Sequence, residues 1–98
     1  MSLPVVLCPE ASRDAQEAQD YLDGQQAGLG QAFLDRLNES LAGIGGMPEL
    51  YGVVWQNVRA ARLRRFTYVV YYRVHADRVE VLAVMHGSRQ ASAWQARA

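Results

Sequence analysis

The sequence predicts an α+β fold in which an N-terminal strand and an antiparallel helical hairpin pack on a mostly antiparallel four-stranded sheet. Apolar side chains recur at helical spacing through residues 10–44, and from Tyr51 onward the spacing changes to that of strands. Only a few residues separate the two helical stretches, which favours an antiparallel hairpin. A chain of 98 residues has room for one core, so we expect a single domain over residues 1–98.

Residues 3–8 (LPVVLC) are predicted to form a short strand. Pro4 supplies no amide hydrogen, so this strand begins at a sheet edge or at the first ladder position. Pro9 ends the strand and suits the first turn of a helix, which we expect over residues 10–24. The apolar stripe of this helix is made of small side chains that allow a second helix to approach closely: Ala11, Ala15, Ala18 and Leu22.

A second apolar stripe predicts the other helix of the hairpin. Its members recur at helical spacing: Leu29, Phe33, Leu37, Leu41 and Ile44. Gly45-Gly46 and Pro48 follow directly and are typical of a helix C-terminus. This helix is therefore predicted to end before residue 48.

Three strands are predicted in the second half: one within residues 53–63 that includes 58–63, a second over 66–74 and a third over 79–85. The second and third are joined by the polar segment His75-Ala76-Asp77, which predicts a β-hairpin. A meander of three strands presents one apolar face for the helical pair to cover.

Side-chain alternation predicts which residues of this hairpin share a face. The even-numbered residues from Phe66 to Val74 are expected on one face of their strand. In the following strand one face is expected to carry Val79, Val81, Ala83 and Met85. The tail after Gly87 is polar apart from Trp94 and is compatible with a helical turn.

The net charge of zero hides a strong asymmetry between the two halves. Residues 1–50 carry two arginines and eight carboxylates, a charge of −6, whereas residues 51–98 carry eight arginines and two carboxylates, a charge of +6. All ten basic residues are arginine. We expect the arginines of the second half to gather on one side of the sheet, as a surface that suits a polyanion or an acidic peptide.

Several function classes are not expected. No run of about 18 apolar residues and no signal-peptide pattern occurs, so we expect a soluble, cytoplasmic protein without a membrane partner. The single cysteine, Cys8, cannot form an internal disulfide or a cysteine-based zinc site, and its apolar neighbours favour a buried thiol. The glycine clusters lack a phosphate-loop pattern. The sequence therefore predicts no metal and no small-molecule cofactor.

An ordered set of short motifs along nearly the whole chain resembles the RelE/ParE superfamily of small bacterial toxins. The pieces are Cys8-Pro9-Glu10-Ala11, Tyr21, Gly30-Gln31-Ala32-Phe33, Pro48, Val58-Arg59, Arg65-Phe66-Thr67-Tyr68, Tyr71-Tyr72-Arg73-Val74, His86-Gly87-Ser88-Arg89 and Trp94. The pattern is most similar to the ParE, or plasmid stabilisation, branch.

The resemblance implies the toxin of a type II toxin–antitoxin system, with a helical hairpin against an antiparallel sheet and a cognate antitoxin that wraps it. RelE-like members cleave mRNA on the ribosome, whereas ParE-like members inhibit DNA gyrase. Under either activity we expect an antitoxin segment that is acidic and apolar and that folds on binding.

For a ribosome-dependent mRNA endoribonuclease, the candidate catalytic residues are Arg59, Arg73, His86 and Arg89. Arginine would stabilise the phosphate as charge develops, and His86 would titrate near neutral pH. The RelE-like pattern has a further arginine where this chain has Val69 or Tyr71, and a tyrosine near its C-terminus where the nearest aromatic here is Trp94. Indole cannot exchange a proton in that reaction.

The incomplete nuclease set favours a ParE-like inhibitor that binds gyrase without catalysis. The candidate binding residues are Arg62, Arg64, Arg65, Arg89, Trp94 and Arg97. Each has a structural alternative: Arg64-Arg65 as a charged guard on an edge strand, His86 as a hydrogen-bonding residue and Trp94 as a plug for the core. A degenerate, non-toxic family member is a third alternative.

Overall fold

The computed structural model describes residues 2–98, which form one five-stranded sheet and three helices. In chain order these are β1 (Val5–Leu7), α1 (Pro9–Gln25), α2 (Leu29–Gly46), β2 (Val53–Trp55), β3 (Val58–Arg62), β4 (Tyr68–Val74), β5 (Val79–His86) and α3 (Ala91–Gln95). None of the helices in this range is long and apolar enough to span a membrane.

The strands lie in the order β1-β5-β4-β3-β2, with β1 parallel to β5 and every other neighbour antiparallel. The α+β class and the mostly antiparallel sheet are confirmed, but the prediction of four strands is wrong by one. The additional strand is β2, which joins β3 through a two-residue turn in which Gln56 has a φ of 50°. Because β2 has three residues, its alternation is too short to distinguish it from the adjoining loop.

The antiparallel helical hairpin is confirmed, and one carboxylate organises its connection. Asp23 Oδ1 accepts the backbone N–H of Gly28 at 3.0 Å and that of Gly30 at 3.3 Å, so it satisfies amides at the start of α2. A Cβ placed on Gly30 would lie 2.7 Å from the backbone oxygen of Gln19. The two helices therefore approach so closely that only glycine fits at position 30.

The helices cover one face of the sheet and form the main core with it. From the helices this core takes Ala11, Ala18, Phe33, Leu37 and Ile44; from the sheet it takes Ala61, Val70, Tyr72, Val79, Val81 and Val84. The even-numbered residues Phe66 to Val74 all lie in or against this core, as predicted from their alternation. Burial raises the pKa of Tyr72 to about 12, and its hydroxyl donates to the Pro48 carbonyl at 2.6 Å.

A β-bulge in β5 overturns part of the predicted face assignment. Tyr71 pairs with Ala83 but its neighbour Tyr72 pairs with Val81, so Leu82 is an extra residue in β5. Before the bulge Val79 and Val81 face the helices; after it Val84 does, while Ala83 and Met85 belong to the opposite face. The prediction that Val79, Val81, Ala83 and Met85 share a face is therefore wrong.

A second apolar cluster covers the opposite face of the sheet. It is built from Val58, Val69, Tyr71, Leu82, Ala83, Met85 and Trp94. The Trp94 ring stacks on Tyr71 with centroids 4.4 Å apart and an interplanar angle of 14°. Through this contact the short helix α3 docks on the sheet, where the sequence allowed a helical turn.

The β1 end of the sheet differs from prediction in one respect. The Cys8 side chain is half-buried rather than fully buried, and its thiol lies 3.4 Å from the Leu82 carbonyl oxygen at the bulge. The expected strand at the N-terminus is present as β1, and its first residue, Val5, packs against the main core.

Candidate functional site

Four arginines lie at one end of the sheet, where β3 ends, β4 begins and β5 ends. Arg62 is the last residue of β3, Arg64 and Arg65 lie in the turn before β4, and Arg89 follows β5. All four side chains are exposed. We call these four residues the cationic end.

Strand pairing brings these arginines together. Arg62 pairs with Val69 at the start of β4, and the adjacent Tyr68 pairs with His86 at the end of β5. The turn that carries Arg64 and Arg65 connects the same two strand ends. The antiparallel ladder therefore gathers residues that are up to 27 positions apart in the sequence.

The guanidinium groups of the cationic end are almost free of carboxylate partners. Within residues 2–98, no carboxylate lies within 4 Å of Arg62, Arg65 or Arg89, and Arg64 meets only Glu39, at 3.5 Å. Both side chains of that pair are more than half exposed, so their attraction is weak. Arg65 has a φ of 69°, a left-handed conformation that is uncommon for a residue other than glycine.

His86 lies in the middle of this end with both ring nitrogens engaged. Nδ1 accepts the backbone N–H of Ser88 at 3.1 Å and lies 2.7 Å from the Ser88 hydroxyl oxygen. Because Nδ1 is an acceptor, the ring proton is on Nε2, which donates to the Thr67 hydroxyl oxygen at 2.7 Å. His86 thus links the start of β4 to the end of β5, and neither nitrogen is free to act as a base.

Two hollows flank His86. One, of about 220 Å³, is lined by Arg62, Phe66, Thr67, Tyr68, Val69, His86, Gly87 and Ser88. The other, of about 200 Å³, lies towards α1 and is lined by Asp14, Glu17, Ala18, Tyr21, Tyr68, Val84, Met85, His86 and Arg89. Burial, and then the neighbouring Tyr21, raise the pKa of Tyr68, which stays a neutral phenol near pH 7.

The four candidate nuclease residues are not brought together. His86 and Arg89 lie at the cationic end, but Arg73 pairs with Glu80 near the opposite end of β4, about 17 Å away along the strand. Arg59 pairs with Tyr72 in the ladder, so it also lies towards that opposite end, and its guanidinium donates to the Tyr51 and Glu49 carbonyls at 2.6 and 3.2 Å. Arg73 donates to Glu80 at 2.9 Å. Both arginines are thus held by structural partners.

Two of the candidate binding residues also have structural roles within the fold. Trp94 is only 5% exposed, which corresponds to the alternative in which it plugs the core. Arg97 donates to both oxygens of Asp14, at 2.5 and 3.2 Å, and to the Leu82 carbonyl at 3.1 Å. Neither presents a free side chain to a partner in this structure, whereas Arg62, Arg65 and Arg89 are exposed and Arg64 meets only Glu39.

The expectation that the arginines gather on one side of the sheet is therefore wrong. One face is covered by the helical hairpin and the other by the Trp94 cluster. The arginines of the second half are instead divided between the two ends of the sheet. Arg62, Arg64, Arg65 and Arg89 lie at the cationic end, whereas Arg59, Arg73 and Arg78 lie towards the other end.

Sequence reasoning missed three residues of this region: Asp14, Thr67 and Ser88. The signal for Asp14 was its position three residues after Ala11 and four before Ala18, on the buried side of α1. Thr67 and Ser88 lay within motifs already singled out, but their hydrogen bonds to His86 depend on strand pairing. Within residues 2–98 no three His, Cys, Asp or Glu side chains are close enough to hold a metal ion.

Comparisons with known proteins agree with this architecture. Residues 5–91 match the profile of a family described as the ParE toxin of the type II toxin–antitoxin system parDE. A chain from a solved structure titled "Chromosomal ParDE TA system from P. aeruginosa" superposes with a TM-score of 0.73 over 87% of this chain and 96% of that chain. Its 13% sequence identity makes this a likeness of fold. No protein with a curated description matches the chain.

Proposed function

The chain belongs to the family of ParE toxins of type II toxin–antitoxin systems, and on that basis we propose that it inhibits growth by binding DNA gyrase in the cytoplasm. The observation that carries this proposal is the cationic end, where Arg62, Arg65 and Arg89 are exposed and meet no carboxylate among residues 2–98. Such a surface binds an anionic partner and requires no chemistry of its own. We therefore propose a non-enzymatic inhibitor.

The residue geometry weighs against the ribonuclease alternative. Its four candidates are divided between opposite ends of β4, and Arg59 and Arg73 already have structural partners. His86, the proposed base, has both ring nitrogens occupied by Thr67 and Ser88. A general base must be able to reach the proton that it removes.

We further propose a cognate antitoxin that covers an apolar groove next to the cationic end. Four large apolar side chains near β2 are 51–65% exposed: Met47, Leu50, Val53 and Val54. A groove of about 620 Å³ leads from Val53 and Val54 past Tyr71 and Trp94 to Arg62 and Gly87. An antitoxin segment with apolar residues followed by acidic ones fits a groove that is apolar at one end and ends at Arg62. Its acidic residues would neutralise the charge of Arg62 directly.

The antitoxin proposal is tested by binding of the protein encoded in the neighbouring reading frame. V54D places a charge in the groove and is expected to weaken binding at least tenfold, because the apolar contact is lost. V6D is the matched control, since Val6 is similarly exposed but lies in β1 at the other edge of the sheet. Equal affinities for V54D and the unmodified protein would contradict the proposed groove.

The gyrase proposal is tested with a supercoiling assay on purified components. The unmodified protein is expected to block supercoiling, and R89E is expected to weaken the block because it reverses an exposed charge at the cationic end. R78E is the control, because Arg78 lies in the β4–β5 turn at the other end of β4. Removing residues 88–98 is unsuitable, since the deletion also removes Trp94 from the core and Arg97 from Asp14.

Transcript cleavage on purified ribosomes provides the competing outcome. The proposal expects no cleavage. Cleavage that is lost in R89A, together with unaffected supercoiling, would replace the gyrase proposal with the ribonuclease.

A further inference from the structure

We propose that the cationic end binds the phosphodiester backbone of nucleic acid, in the form of the DNA duplex on which gyrase acts. The biological meaning of this contact rests on the proposed function, whereas its chemistry rests on the cationic end alone. The toxin would then hold the DNA of the gyrase complex as well as, or in place of, a protein surface.

The charges around the cationic end favour an anionic ligand. Arg62, Arg65 and Arg89 have no carboxylate within 4 Å in residues 2–98. The hollow that Arg62 shares with Thr67 is lined by no carboxylate, whereas the hollow that Arg62 shares with Arg64 contains Glu39. The hollow beside Arg89 contains Asp14 and Glu17, but the Asp14 carboxylate is bound by Arg97. Four arginines thus face Glu17 and Glu39, and this excess of positive charge favours an anion.

The cationic end also offers hydrogen-bond donors to a phosphate. His86 Nε2 donates to the Thr67 hydroxyl oxygen, so the hydroxyl hydrogen of Thr67 is left to donate to a ligand. Thr67 and Arg62 line the same hollow. A hydroxyl and a guanidinium that converge in this way are a common set of phosphate contacts.

The spacing of the arginines suits a chain of anions better than a single one. β3 and β5 lie on either side of β4, so Arg62 and the end of β5 are separated by about 10 Å. One strand of a duplex carries a charge about every 3.4 Å along its axis, so this row extends over about three phosphates. Arg65 lies in the turn that joins β3 to β4, in a left-handed backbone conformation.

The large exposed apolar side chains lie mostly beside the cationic end rather than within it, so a peptide with apolar anchors would reach only its edge at Arg62. Four of the large exposed apolar side chains, Met47, Leu50, Val53 and Val54, lie at and before β2. A peptide that needs apolar anchors would bind there, whereas the phosphate backbone is held by charge and needs none.

The test is fluorescence anisotropy with a labelled DNA duplex of about 20 base pairs, and with an RNA duplex of the same length. With three phosphate contacts, the affinity of the unmodified protein is expected to fall about 40-fold between about 50 and 200 mM salt. R62E/R65E/R89E is expected to lose binding, and R78E to bind within about twofold of the unmodified protein. Circular dichroism and the urea midpoint verify that each variant is folded.

Single variants keep the test decisive if the triple variant does not fold. R65Q and R89Q are each expected to reduce the salt slope by about one phosphate contact. Absence of DNA binding at about 50 mM salt, a triple variant that binds like the unmodified protein, or binding to RNA alone would each overturn the inference.

The two proposals fail in different ways. If R62E/R65E/R89E loses gyrase inhibition while the unmodified protein binds no DNA, the cationic end contacts gyrase itself and the DNA inference is overturned. If DNA is bound but gyrase is not inhibited, the inference stands and the gyrase proposal is overturned.

Discussion

Asp14 and Arg97 complete the hydrogen bonding of the irregular strand β5. The pairing of β1 with β5 ends at Val81, just before backbone groups of Leu82 and Val84 that bond to these two side chains. Asp14 accepts the Val84 N–H at 3.0 Å, and Arg97 donates to the Leu82 carbonyl at 3.1 Å. The Asp14 carboxylate in turn raises the pKa of Arg97, mainly by hydrogen bonding. One ion pair thereby anchors α1 and the C-terminal tail to the same point of the sheet.

Replacing Arg97 by methionine is expected to destabilise the protein by about 2–3 kcal/mol, because Asp14 loses its cation in a largely buried position. The two side chains are 22% and 13% exposed, so the loss is smaller than for a fully buried pair. R78M is the matched control, since Arg78 pairs with Asp77 at the surface, and it is expected to cost less than about 1 kcal/mol. Urea denaturation measures both; equal losses would contradict the anchoring role of Arg97.

The hydrogen bonds of Glu80 predict that the stability of the folded protein decreases in acid. His75 and then Arg73, each 2.9 Å from the Glu80 carboxylate, lower its pKa below the usual value of 4.5. A carboxylate with a depressed pKa stabilises the folded state above its unfolded pKa, and this contribution is lost as the pH falls through the folded pKa. E80Q is therefore expected to lose less stability than the unmodified protein between about pH 5 and pH 3.

The measurement for Glu80 is the urea midpoint as a function of pH. D77N is the control, because Asp77 forms only a surface pair with Arg78. If the midpoint of E80Q falls with pH as steeply as that of D77N, Glu80 is not the source of the acid sensitivity.

At the scale of elements, the contact between α1 and α2 depends on a single glycine. Gly30 is buried, and an added Cβ would lie 2.7 Å from the Gln19 carbonyl oxygen, 3.0 Å from Asp23 Cβ and 3.1 Å from Gln19 Cγ. Because the nearest of these is a backbone atom of the other helix, the helices themselves must move apart to accept it. The hairpin therefore tolerates no side chain at this position.

G30A is expected to destabilise the protein by about 1–3 kcal/mol through this overpacking. G24A is the matched control: Gly24 lies in α1, a Cβ there meets nothing within 4 Å, and alanine is expected to stabilise the helix by about 0.5–1 kcal/mol. Thermal or urea denaturation should therefore give opposite signs for the two substitutions. The same sign for both would contradict the close helix contact.

The elements that sequence could predict are those with a long, unambiguous period. The stripes of α1 and α2 and the alternation of β4 each extend over two or more turns or several residue pairs, and the core confirms them. The bulge of β5 could not be predicted, because residues 81–85 are apolar at both odd and even positions. Alternation therefore carries no information about where the register changes.

The candidate site was predicted only in part, because strand register and contacts between distant residues decide which side chains come together. Arg62, Arg64, Arg65 and Arg89 were identified from charge, but their separation from Arg59 and Arg73 depends on which end of each strand they occupy. Trp94 and Arg97 were given binding roles because the tail looked exposed. Their partners, Tyr71 and Asp14, are 23 and 83 positions away in the sequence, beyond any local pattern.

At the scale of the whole molecule, a cationic surface and an apolar surface lie side by side. The cationic end lies at the terminus of the β3, β4 and β5 strands, and the exposed apolar residues of β2 open onto a groove that reaches Arg62. A partner bound in the groove would therefore reach Arg62, one of the four residues of the cationic end. This arrangement gives a physical basis for an antitoxin that neutralises the toxin by covering its neighbouring surface.

We propose that growth inhibition arises at the cationic end. Induced expression in bacteria is the direct test of this proposal. Growth is followed for the unmodified protein, R62E/R65E/R89E and R78E, with immunoblots to verify equal amounts of soluble protein. We expect growth arrest by the unmodified protein and by R78E, and normal growth with the triple variant. Arrest by the triple variant at the same protein level would contradict the proposal.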